Sequence, residues 1–294
     1  MLLERARHAY ADWKKRPAGF SPAREGRRRA RQARQIELPD NRLRLLTYNI
    51  QAGIASQGYG DMVAGSWKHL VGHTASRANI EGIADVLDHY DLVGLQEVDG
   101  GSLRSRNLNQ LLHLAARGDF RFWHQQLNRN LGRFGQFSNG VLARVLPFHV
   151  EDHRLPGLPG RGAIVAQFGH PDEPLMIVIV HLALGEKYRN TQLAYLRDLL
   201  RGRRHVVVMG DFNCFGEHLL DSPLMELDLQ LMDNVHYTYP SWAPDRHLDH
   251  ILVSPSLEVN HTQTLSDCRL SDHLPMAMEL TLPEALVAAA REAG

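Results

Sequence analysis

Asp211 and Asn213 stand one residue apart at the end of an apolar run, His205-Val206-Val207-Val208-Met209-Gly210. A short run of β-branched residues marks a buried strand, and residues i and i+2 of a strand point to one side. A carboxylate and a carboxamide are therefore delivered together at the C-terminal lip of that strand. An isolated Asp-x-Asn is most often a turn, but here the arrangement recurs. Asn49, Glu97, His181, Asp249, Asp272 and His273 also lie at or beside the ends of apolar segments. Carboxylates and carboxamides with little Cys and few clustered His form an oxygen-ligand set, which suits Mg2+ or Mn2+ rather than zinc. A His beside an Asp, with a second Asp elsewhere to orient it, suits general acid–base work. Together these residues describe metal-assisted attack of water on a phosphate ester.

The elements that must carry them follow from hydrophobic spacing. Strands are expected over residues 43–49, 91–97, 121–126, 140–143, 160–168, 175–181 and 248–253, with a final strand starting at Ser271. Residues 169–174 make a polar hairpin turn. Helices are expected over 77–90, with Ile80, Ile83, Ala84 and Leu87 on one face, and over 103–116. A third runs over 186–200, with Leu193, Leu196, Leu199 and Leu200 inward and Arg189 and Gln192 elsewhere, and a short one follows Ser222-Pro223. Residues 128–139, rich in Gly and Arg, read as loop. Residues 51–76, with Trp67, His69 and His73, form a segment far longer than the usual connection of ~4–6 residues. It leaves the Asn49 strand end and is expected to fold over the site and govern substrate preference. Many strands with interspersed helices fit an α/β or α+β sandwich in one domain, residues 41–294, behind a separate N-terminal arm, residues 1–40.

Charge is balanced overall, 33 basic against 33 acidic residues, but unevenly spread. Residues 1–34 hold 11 Lys/Arg and 3 Asp/Glu, a formal +8, which leaves 22 basic and 30 acidic residues, a formal −8, for the rest. Leu2, Leu3, Ala6, Tyr10 and Trp13 have amphipathic helical spacing. The arm reads either as a solvated segment or as a contact for an anionic surface, nucleic acid or lipid. An acidic body fits a polyanion poorly unless cations or local Arg clusters intervene; Arg104, Arg106, Arg129 and Arg133 read either as such a basic rim or as solvated loop arginines. Two cysteines, Cys214 and Cys268, are no disulfide framework and point to a reducing compartment. With no signal-peptide core and no apolar run near the ~20 residues that span a bilayer, a cytoplasmic protein is expected.

Six motifs then carry a resemblance. Thr-Tyr-Asn49-Ile, Leu-Gln-Glu97-Val, Val-His181-Leu, Gly-Asp211-Phe-Asn213, Leu-Asp249-His-Ile-Leu and Ser-Asp272-His273-Leu-Pro resemble, in order, those of the endonuclease/exonuclease/phosphatase superfamily. The match covers about residues 43–281. It implies a four-layer α/β/β/α sandwich, an α+β fold of two packed, mostly antiparallel sheets flanked by helices, with the site at one edge. It implies Glu97 as principal metal ligand, with Asn49 and Asp272 close to the ion or its waters. Asp211 would orient or deprotonate the attacking water, and Asn213 would hold it or a phosphate oxygen. His273 would contact the scissile phosphate with Asp249 holding its ring, and His181 would donate to another non-bridging oxygen. Arg161 matches a position near the phosphate and Asn139 a position on a short strand, both expected to bind substrate. The resemblance implies a phosphodiester substrate, of nucleic acid or of a phospholipid or inositol phosphate. Tyr239-Pro240-Ser241-Trp242-Ala243-Pro244-Asp245 is similar to an inositol-phosphatase signature, but Asp249 fits the His-orienting role and Asp245 is extra. The alternative is a binding or regulatory protein on the same fold, since fold does not fix function.

Overall fold

Alternation of inward and outward side chains on two sets of strands organises the chain. In the computed structural model, which describes residues 38–53, 73–105, 107–131, 135–157, 159–232 and 237–286, twelve strands form two six-stranded sheets. The first sheet has β1 (Arg42–Asn49), β2 (Leu92–Asp99), β3 (Phe122–Asn130), β4 (Gln136–Ala143), β11 (Glu258–Thr264) and β12 (Met276–Thr281), in the order β11-β12-β1-β2-β4-β3. The second has β5 (His149–Arg154), β6 (Gly162–Phe168), β7 (Leu175–His181), β8 (His205–Asp211), β9 (Gln230–Leu231) and β10 (Asp249–Val253), in the order β5-β6-β7-β8-β10-β9. Among the described residues only β1–β2 and β7–β8 pair in parallel. Among the described residues the α-helices are α1 (His73–Leu87), α2 (Gln110–Arg117), α3 (Glu186–Leu200) and the short α4 (Gly216–Leu220).

Three buried apolar layers separate four layers of structure. Leu43, Leu45 and Val141 of the first sheet meet Ile177, Ile179, Val207, Met209 and Ile251 of the second. On the outer face of the first sheet, Leu46, Val93 and Leu95 pack on Ile80 and Ile83 of α1 and Leu111 and Leu114 of α2. On the outer face of the second, Val178, Val180, Val206 and Val208 pack on Leu193, Leu196 and Leu200 of α3. Consecutive residues such as Val207 and Val208 thus serve opposite faces, the period-two rule of a strand. Gly94 lets the sheets approach: a Cβ there would sit 2.6 Å from Ile179 Cδ1. This is the expected α/β/β/α sandwich.

Several boundaries differ from the sequence reading. Residues 128–139 are not all loop, because β3 runs on to Asn130 and β4 begins at Gln136; their backbones pair, with Arg129 and Asn130 exposed and Ser138 and Asn139 buried. β5 and β11, unexpected, are edge strands, where polar side chains are tolerated and hydrophobic alternation is lost. The expected helix 103–116 divides into a 3-10 turn, Leu103–Ser105, and α2, whose Asn109 caps the N-terminus by accepting the Leu112 N–H at 2.9 Å. α1 starts earlier, at His73, the sixth strand begins at Gly162, and the last at Met276. α3 has the expected limits, but Arg189 and Gln192 are buried rather than exposed. The arm up to residue 37 and segment residues 54–72, with Trp67 and His69, lie outside the described residues, as do Arg106 and Arg133. Among the described residues no helix is long and apolar enough to cross a membrane.

Gly210 has a positive φ of 149°, and a Cβ there would overlap the carbonyl oxygen of Val180 on β7. It is the residue that brings Asp211 in beside His181. Gly210→Ala is expected to cost about 3 kcal/mol, the upper part of the range for overpacking, and chemical denaturation with native-like controls would measure it.

Candidate active site

Both parallel pairs end at the same edge of the sandwich, and the register lines up the polar residues there. His181 and Asp211 are neighbours across β7 and β8, and Asp249 at the start of β10 is the partner of Asp211 on its other side. Asn49 ends β1 on the facing sheet. Asn49 Nδ2 donates to Asp211 Oδ2 at 3.1 Å, so one hydrogen bond joins the two sheets at the site. The same oxygen has His181 Nε2 at 3.4 Å and His273 Nε2 at 3.9 Å, while Asp211 Oδ1 accepts the Asn213 N–H at 2.9 Å. Asp211, 2% exposed, is thus ringed by donors. Burial still pushes its carboxyl upward against the pull of His181 and His273, which makes it a better base than a surface aspartate.

The two histidines are set differently. His273 Nδ1 lies 2.7 Å from Asp249 Oδ2. Burial opposes its charge, but Asp249, by proximity and hydrogen bond, and Asp211 and Asp272 outweigh that and push its pKa up to about 10. His181 has burial against it too, and Asp211 alone does not compensate, with Arg161 and His273 nearby, so it falls to about 3. At neutral pH the site holds one imidazolium and one neutral imidazole. Asp211, Asp249 and His273 bring ligand-type atoms within 4.8 Å of one another. Within this group His273 Nδ1 is turned to Asp249 Oδ2, an acid–imidazole pair of the kind that can hold or move a proton.

Glu97 and Asp272 make a second group. Glu97 sits where the β2–β4 register shifts, between Leu95 and Val98, and takes the left-handed φ of 55°. Such a bulge re-aims a side chain at the end of a strand. Burial, with the negative charge of Glu97, pushes Asp272 up to about 6 despite His273 and the 3.1 Å hydrogen bond from Ser271 Oγ. Arg161 is lowered by burial and held up by Asp211 and Glu97, so its guanidinium faces both acids. Asn139 is fully buried: its Nδ2 donates to the Gly162 carbonyl at 2.9 Å, which fixes the residue next to Arg161. Asn213, at φ 52°, donates from Nδ2 to the Leu182 carbonyl at 2.9 Å. Arg129 packs its stem over Gly160.

Other residues support these and carry no signal of their own in the sequence. Arg189 Nη1 donates to the carbonyls of Leu184 at 2.8 Å and Asn213 at 3.0 Å, and Gln192 Oε1 accepts the Ala183 N–H at 2.8 Å. Both brace the turns after His181 and Asp211; helical periodicity counts such residues as outward. The Tyr239-Pro240-Ser241 segment holds the other side. Ser241 N–H donates to the Asp272 carbonyl at 2.8 Å, Ser241 Oγ to the Ser271 carbonyl at 2.6 Å, and the Tyr239 ring lies 4.9 Å from that of His273. Asp245 instead pairs with Arg246 on the surface.

Residues 46–273 match the sequence model of the endonuclease/exonuclease/phosphatase family. The chain belongs to that family. It is accordingly a hydrolase of phosphoester bonds. No curated protein sequence matches it. Solved structures of similar fold include an endonuclease/exonuclease/phosphatase from Beutenbergia cavernae, 21% identical, TM-score 0.62, covering 82% of this chain and 72% of that one. A Bacteroides thetaiotaomicron mannosyl-6-phosphatase is 19% identical, TM-score 0.59, covering 81% and 99%. D. rerio TDP2, complexed with a single-strand DNA product, is 15% identical, TM-score 0.59, covering 81% and 98%. For this family member, Asp249→Asn removes the charge that holds His273 protonated. The folded pKa of His273 should drop from about 10 toward the ordinary value of 6.5, and kcat should fall by ~10²–10⁴. Since the raised pKa stabilises the fold below about 6.5 and loses that effect as pH rises through about 10, the variant should also lose stability at neutral pH; a pH series of melts with the rate profile checks both.

Proposed function

We propose that the chain hydrolyses a phosphodiester by direct attack of water, dependent on Mg2+ or Mn2+. The convergence of Asn49, His181 and His273 on Asp211 Oδ2 carries this reading. Asp211, made more basic by burial, takes a proton from the attacking water, and Asn213, fixed by its own two hydrogen bonds, helps to hold that water. His273, kept charged by Asp249, meets a non-bridging phosphate oxygen, and Arg161 faces the same charge. His181, neutral, contributes a single N–H and no net charge.

The donors fit a hard cation. Asp272 is buried, and the charge of half-buried Glu97 adds to the cost of its carboxylate, a cost that a divalent ion would relieve; their oxygens with Asn49 are the ligand type such an ion takes. When bound, the cation would stabilise charge on the phosphate as a Lewis acid. Asn49, Glu97 and Asp272 would hold it; Arg161, with Asn139 behind it, would bind substrate. Among proteins of this fold, one is named for a phosphorylated sugar and another was crystallised with a DNA product, so the reaction class is supported more firmly than any leaving group.

Hydrolysis of a generic phosphodiester with Mg2+ or Mn2+ should vanish with EDTA and fall at least ~10²-fold in Asp211→Asn. Full activity after exhaustive chelation, with zinc alone restoring any loss, would reject the ligand set. No turnover of DNA, RNA, phospholipid or inositol phosphate would favour the binding protein on the same fold.

A further inference from the structure

The two chain segments that carry Asn49 and Glu97 part company just where they need to be held together. β1 and β2 pair in register up to Asn49 and Gln96, and the Ile50 N–H adds a last link to the Gln96 carbonyl at 3.1 Å. Past that point both backbones leave the ladder. Gln51, Ala52 and Gly53 take positive φ values of 41°, 54° and 73°, and Glu97 has 55°. Gln110, the first residue of α2 and 1% exposed, spans the gap. Its Oε1 accepts the Asp99 N–H at 2.8 Å and its Nε2 donates to the Ala52 carbonyl at 2.6 Å. One planar amide, acceptor on one side and donor on the other, therefore ties the third residue after Asn49 to the second after Glu97.

The surroundings make this a fixed strut. Asp99 uses its carboxylate to gather the Gly101 and Ser102 N–H groups and the Ser102 and Ser105 hydroxyls at 2.6–3.0 Å, which folds the loop back to the start of α2. Asn109 caps that helix, so Gln110 leaves from a defined backbone. Gly53 closes the other side, where a Cβ would lie 2.8 Å from Ile80 and 3.1 Å from Gln110 Nε2.

We infer that Gln110 is a positioning residue that sets the spacing of Asn49 and Glu97, and through it the affinity for the divalent cation; this rests on the ligand reading above. A side chain that orients ligands without touching the ion commonly changes metal affinity by about 10–100-fold when removed. The test is calorimetric titration of the full chain with Mn2+, alongside amide exchange of the metal-free protein. Gln110→Met keeps the length and loses both hydrogen bonds. It should weaken Mn2+ about 10–100-fold and speed exchange at the Asp99 amide. Gln110→Glu keeps an acceptor for Asp99 and loses the donor to Ala52; it should weaken Mn2+ about tenfold and serves if the Met variant does not fold. Leu114→Ala, one turn along α2 in the apolar layer, should lower Tm yet leave Mn2+ affinity within about twofold, the usual independence of a site with no shared partner. Wild-type affinity in a folded Gln110 variant, or affinity loss in Leu114→Ala that tracks its Tm, overturns the inference. If the wild-type protein binds no Mn2+, the ligand reading has failed separately. Unchanged exchange at Asp99 in Gln110→Met would then overturn the strut as well.

Discussion

One buried hydrogen bond, from Asn49 on the first sheet to Asp211 on the second, sets the terms for everything at this edge of the sandwich. A carboxylate with 2% exposure is costly to bury unless donors meet it. Here they come from β1, β7 and the segment before β12, so the charge is stable only when both sheets are packed at the right distance. The apolar layer of Leu45, Ile179, Val207 and Met209 supplies that distance. Packing and chemistry are therefore one constraint: the core fixes the separation, and the separation fixes whether Asp211 has partners.

The same seam sorts the ionisable groups by what stands near each. His273 has three acids about it and keeps its proton; His181 has one, and burial wins. Asp272 is pushed up first by burial and then by Glu97, against the pull of His273, and Arg161 stands near Glu97 and Asp211. The Asp–His group and the oxygen-donor group thus lie side by side, and Asn49 links them through its hydrogen bond to Asp211. The turns that hold them are braced from behind by Arg189, Gln192, Ser241 and Gln110, all buried and all bonded to backbone.

Sequence reading reaches the strand ends because their signal is local. An apolar run that stops at a single Asp, Asn, Glu or His is visible within one strand length, and the family resemblance that six such motifs carry in order implies the sandwich. It does not reach what depends on partners far along the chain. Arg189 and Gln192 look like the outer face of an amphipathic helix, and only the turns after His181 and Asp211 give them work. β5 and β11 lack alternation because each is an edge. The bulge that turns Glu97 is a property of β2 against β4, and Asn139 resembles a residue facing substrate until its bond to the Gly162 carbonyl across the sheets is seen.

In the proposed reaction water attacks phosphorus directly, with Asp211 as its base and no side chain bonded to the substrate. The most direct measurement is the stereochemical course at phosphorus, using a phosphorothioate diester of known configuration hydrolysed in 18O-water. A single in-line displacement inverts the configuration. Inversion is the result predicted; net retention would mean two displacements through a covalent intermediate, on His181 or another side chain, and would contradict the account.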